Sequence, residues 1–248
     1  MQWIILFSLC IAAFSANSKA QEHPTEQLLK VEIAVYQLSS AFSAYVLFTG
    51  SPKYDQELDN IITTNKPILT NTKANFPNIA KQWQESLDFI ERSKELVFSP
   101  DDHRLIIGFA TFQNPLYQLI EQKKQSVSQN NLNSPVLSPV LEEYLTTRVS
   151  FERVVAQYIA LSASSAGFVV SDISIEENVN TFSTEIENIA NQANDVNRLK
   201  MKWNFIKSNM LKNPGQTSPF ITMRTAIDIR KLLQNIYKAE LITSNDTH

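Results

Sequence analysis

Serine is the side chain with chemical potential that this sequence places most conspicuously. Ser39, Ser40 and Ser43, with Ser162, Ser164 and Ser165, set hydroxyls and small side chains inside two otherwise apolar stretches. Such hydroxyls either hold a polar ligand in a small pocket between two helices, or simply let helices approach closely. Trp83 and Trp203 are each either a core residue or a pocket wall. Arg148, Arg153, Arg198, Lys200 and Lys202 make the second half locally basic. Solvation at the surface explains that run, and so does binding of an anionic ligand or partner. Beyond these the inventory is bare. His23, His103 and His248 are scattered, with no Glu-x-x-His pair, so neither a metal set nor a cofactor is expected. No nucleophile elbow, phosphate loop or dinucleotide fingerprint occurs. Asp55, Glu57 and Asp59, like Asp101 and Asp102, sit at helix starts, where the dipole favours them, and no catalytic residue is assigned.

Composition narrows the class. The chain has 248 residues, net charge −3, 4 glycines, 10 prolines and 1 cysteine. Glycine scarcity argues against phosphate loops and hairpin-rich sheets, which need positive φ. A weakly acidic chain carries no footprint for nucleic acid. Ile4 to Phe14 form an apolar run too short to span a bilayer, followed by Ser18 and Ala20 in a small-x-small pattern. This predicts a signal peptide over 1–20, cleaved after Ala20, and a periplasmic or secreted location. The segment before the run, Met1-Gln2-Trp3, lacks a cation, which keeps an uncleaved anchor as the rival reading. Cleavage would remove Cys10, the sole thiol, so the core alone must hold the fold. No transmembrane span is expected after residue 21.

These groups must be positioned by helices. Leu28, Val31, Val35, Leu38, Phe42 and Tyr45 recur at steps of three and four, with Glu32, Gln37 and Ser40 off that stripe. Phe151, Val154, Tyr158, Leu161, Ser165 and Phe168 repeat the rhythm. Ser51-Pro52, Ser99-Pro100, Ser138-Pro139 and Ser218-Pro219 read as helix starts, serine as cap and proline in the first turn. The pattern predicts an all-α chain with helices over 25–49, 52–74, 77–97 and 100–125, then 139–170, 174–191, 194–211 and 219–242. Pro67 and Pro115 should kink or shorten theirs. The Ser/Asn-rich stretch 126–138 reads as a linker between a first unit, 21–125, and a second, 139–248.

The units resemble each other. Ser40 to Ala44 matches Ser162 to Ala166 at an offset of 122, which Tyr36 and Tyr158 share. Trp83 and Trp203 lie 120 apart, and Ser99 and Ser218 lie 119 apart. This predicts tandem duplicated antiparallel four-helix bundles.

Leu161-Ser162-Ala163-Ser164-Ser165-Ala166 in the second copy and Gln37 to Ala44 in the first resemble the first-helix motif of PilJ-type sensor domains, the N-terminal domains of type IV pili methyl-accepting chemotaxis transducers. Those domains are similar in turn to NarX-like periplasmic four-helix sensors. Trp83 and Trp203 stand at the family's tryptophan, and Leu116 to Ile120 and Leu232 to Ile236 at its closing helix. Ser164 and Phe42 replace the family's anion-holding arginine. The resemblance implies a non-enzymatic, sensor-like periplasmic module. It would bind a small ligand, or an envelope sensory protein, through Ser40, Ser43, Ser162, Ser164 and Ser165, with its two first helices side by side. The alternative is a structural protein that docks on an envelope complex without a small ligand.

Overall fold

The structure, a computed structural model, describes residues 22–97, 103–130, 137–164, 174–189, 194–212 and 218–245. The expected signal peptide 1–20, the Ser99-Pro100 start, Ser165, Phe168 and His248 lie outside the described residues. The fold is all-α, with eight helices and no strand among the described residues. They are α1 (Pro24–Leu47), α2 (Pro52–Asn75), α3 (Pro77–Ser93, extended by a 3-10 turn at Lys94–Leu96) and α4 (His103–Asn130). Then come α5 (Pro139–Ala163), α6 (Ile175–Asn188), α7 (Asn194–Lys212) and α8 (Pro219–Asn245). No helix is long and apolar enough to cross a membrane among the described residues.

Proline opens α1, α2, α3 and α5, where its missing N–H costs nothing. The serine hydroxyls expected to cap do not do so at Ser51 or Ser138. There the first turn closes on the serine carbonyl, which accepts from Asp55 and Glu142 respectively. Side-chain caps come from His23, which accepts from the Thr25 N–H at 3.2 Å, and from Ser174, which accepts from Glu177. Pro67 and Pro115 each remove one backbone bond, yet α2 and α4 run through them. Helix α4 continues to Asn130, taking up the first residues of the expected linker. Helix α5 ends at Ala163 rather than 170, with Ser164 extended. The hydroxyls of Ser162 and Ser164 compete with the helical backbone.

The helices form two sets of four. Within each, neighbours in sequence pack together and the last returns to the first: α1 to α4 in one set, α5 to α8 in the other. Gln27 meets Asn75 and Gln37 meets Asn65, so α1 and α2 run antiparallel; Ser150 meets Glu185 and Gln157 meets Asn178, so α5 and α6 do too. The first set encloses Leu28, Phe42, Trp83, Ile90, Phe109 and Leu116. The second encloses Phe151, Tyr158, Phe182, Trp203, Leu233 and Tyr237. The most extensive helix contact in the molecule joins the two sets, α1 against α5. Leu29, Tyr36, Leu145, Val149 and Ala156 form a third apolar cluster in that seam.

Candidate functional site

A helix with one apolar stripe exposes its other side. Helix α1 does not, because α5 covers it. Glu32, Ser39, Ser40 and Ser43 are therefore buried along with the stripe. An ionised carboxylate in such a place must be paired or it would drive its own protonation.

Glu32, 1 % exposed, is held from both sets. Arg153 of α5 donates to it at 2.8 Å and Lys124 of α4 at 2.9 Å. Arg153 also donates to the Tyr36 hydroxyl at 2.9 Å, and Tyr36 stacks on Tyr117 at 4.8 Å between centroids. Burial pushes both tyrosine hydroxyls up, so both stay protonated. Burial opposes the charge on Arg153 and on Lys124, but Glu32 and, for Arg153, Tyr36 outweigh it, and both are raised.

Glu152, fully buried on α5, carries the denser cage. Arg230 of α8 grips it with two parallel bonds, Nε to Oε1 at 2.8 Å and Nη2 to Oε2 at 2.7 Å. Arg148 adds a bond at 2.9 Å, and Gln37 of α1 donates its amide at 3.1 Å. Burial pushes the Glu152 carboxyl up, but Arg230, then Arg148 and Gln37, outweigh it and hold it at about 2. It is ionised at any physiological pH, so it is no proton donor. Each oxygen of both carboxylates accepts from one of the protein's own cations. The chemistry of the seam is attachment.

The residues singled out in the sequence fall in three places. Ser39, Ser40 and Ser43 are buried in α1, and the Ser40 hydroxyl turns back to donate to the Gln37 carbonyl. Ser162 donates to the Tyr158 carbonyl at the end of α5, and Ser164 is buried beside it. Ser40 lines a crevice of about 10 Å³ with Gln37, Val155 and Arg230, room for about one water. Neither Ser43, Ser162 nor Ser164 lines it. Trp203 is a core residue, edge-on to Phe182 at 4.7 Å, with its indole N–H donating to Ser183. Trp83 is both core and wall: 2 % exposed, it lines a cleft of about 200 Å³ with Leu38, Ile62, Asn65, Leu69 and Leu87. Arg148 and Arg153 belong to the seam, whereas Arg198, Lys200 and Lys202 make surface pairs with Asp195, Glu187 and Asp228. Among the described residues no group of three or more His, Cys, Asp or Glu could hold a metal ion.

Glu152, Lys124 and Arg230 were not legible as site residues, and Glu32 read as an off-stripe polar position. A signal was present in the spacing of like residues. At an offset of 120, that of the tryptophans, Glu32 meets Glu152 and Gln37 meets Gln157. Gln37 accepts from Asn65 at 3.5 Å and Gln157 from Asn178 at 2.8 Å, in each set a first-helix to second-helix pair. The 122 offset of the serines instead equates Tyr36, at the seam, with Tyr158, in the second core.

These features define an all-α protein of two four-helix sets joined through a charged seam. No protein-family model, curated protein or solved structure matches the chain.

Proposed function

We propose that this chain is a non-enzymatic interaction module that docks on a component of the cell envelope through its outer helix faces. The observation that carries the reading is the filled seam. The place where a ligand would lie between two first helices holds Glu32, Glu152 and their own cations, and the serine crevice has about 10 Å³. In this reading the two sets are a tandem duplication, supported by the matched Glu, Gln and Trp pairs at 120. The apolar leader supports a periplasmic setting, and the resemblance to PilJ-type and NarX-like sensors supplies the architecture. The module keeps the paired first helices and gives up the anion site between them.

One observation favours a second reading. The apolar cleft beside Trp83, with Asn65 and Lys66 at its edge, would suit a small amphipathic ligand, although about 200 Å³ is below the usual range for such sites. A thermal-shift panel of small anions, amino acids, nucleotides, metals and uncharged short-chain amphiphiles separates the two. A ligand at 100-fold its Kd stabilises by about 2.7 kcal/mol, a shift of a few degrees. Docking predicts silence. A shift abolished by Ser40→Leu would restore ligand binding at the seam, and one abolished by Leu87→Trp would establish the cleft.

A further inference from the structure

The seam and the cleft leave one part of the molecule unused. Residues 194–231, helix α7 and the first half of α8, contain eight Lys or Arg and two Asp or Glu. That is +6 in a chain whose total is −3, so all the rest carries −9. The same segment holds most of the large exposed apolar side chains: Met201 at 65 %, Phe205 at 56 %, Ile227 at 42 % and Ile221 at 38 %.

Position joins these two facts. Lys202 of α7 pairs with Asp228 of α8 at 2.6 Å, which marks where the helices meet. Phe205 lies one turn along α7 from Lys202, and Arg224 and Ile221 lie one and two turns back along α8 from Asp228. Lys231 follows one turn on. The exposed stripe of α8 thus alternates apolar and cationic, Ile221, Arg224, Ile227, Lys231, and Met201 and Phe205 project from α7 beside it. Lys207, Lys212, Arg224 and Lys231 make no ion pair among the described residues, and the pairs of Arg198 and Lys202 are exposed enough to exchange for other anions.

We infer that this α7–α8 face docks on an anionic phospholipid surface, a reading that rests on the docking function proposed above. Isolated apolar side chains on a helix pair, set among cations, match the headgroup boundary: the apolar tips enter it and the cations meet phosphates. Charge complementarity sets the orientation as well: Arg230 turns inward to Glu152, which leaves this segment seven other cations against two carboxylates, while the rest of the chain is acidic.

The test is flotation of the full chain with vesicles of phosphatidylcholine alone or mixed with phosphatidylglycerol. Binding is expected only to the mixed vesicles. It should weaken as salt rises from about 0.1 M to about 1 M, which shortens the screening length from about 10 Å to about 3 Å. Reversing Arg224→Glu with Lys231→Glu should lower partitioning at least tenfold. Met201→Ser with Phe205→Ser should lower it while leaving the salt dependence in place. Lys73→Glu, exposed on α2, should change it little. All these positions are exposed, so circular dichroism should show unaltered helix. Absence of binding to anionic vesicles, or binding indifferent to the Arg224 and Lys231 reversals, overturns lipid docking. Binding to polyglutamate without binding to vesicles overturns it in favour of an acidic protein. The docking function itself fails on a different result, a ligand shift in the thermal panel.

Discussion

Glu32 and Glu152 are the same residue type, 120 positions apart on the first helices of their sets, both buried, and they are held in different ways. The guanidinium on Glu32 comes from the other set, through Arg153. Both guanidiniums on Glu152 come from its own set, through Arg148 and Arg230, and only the Gln37 amide crosses. The Glu32 end is where charge ties set to set. The Glu152 end is where one set secures itself before being tied. Buried ion pairs contribute little over an apolar replacement of both partners, but removal of one partner strands the other. The two ends should therefore fail differently.

The largest effect is expected at Glu152→Gln, which leaves Arg148 and Arg230 facing a neutral amide. It should cost about 3–5 kcal/mol in urea unfolding. A loss below about 1 kcal/mol would show that the cage is more hydrated than its burial indicates. The pH dependence comes next. Glu152 sits at about 2 against an ordinary 4.5. Its native pKa is depressed, so its contribution, about 3 kcal/mol, is present in full above about pH 4.5 and is lost as pH falls toward about 2. Glu152→Gln should flatten that part of the acid-unfolding curve; an unchanged curve would assign the acid sensitivity elsewhere. Arg153→Met should cost about 2 kcal/mol, because Lys124 still neutralises Glu32. Its particular sign is that the two sets come apart in unfolding, which Glu152→Gln should not produce. The smallest effect is a gain. Gln113 on α4 is 1 % exposed, and neither of its amide atoms has a partner among the described residues. Gln113→Leu should raise stability by about 1 kcal/mol, read as a higher urea midpoint, and a loss would reveal an internal partner such as water.

The fold was legible where side chains act locally. Periodicity and proline placed the helices. The site was not legible, because a stripe analysis sees one face of a helix at a time. Glu32, Gln37 and Ser40 lie off the α1 stripe, and a second helix more than 100 residues away covers them. What makes Glu32 internal is the pairing of α1 with α5, a long-range fact that no local window carries. Small hydroxyls inside an apolar run do mark close packing, but Ser40 and Ser162 satisfy themselves on their own helix backbone.

The central claim is that the seam makes the eight helices one body. Pulsed hydrogen exchange with peptide mass spectrometry, on the full chain across a urea titration, tests it most directly. Peptides from α3 and α7, one in each set, should lose protection at a single urea midpoint in the wild type and at two midpoints in Arg153→Met. Two midpoints in the wild type, or a single midpoint that survives Arg153→Met, would contradict it.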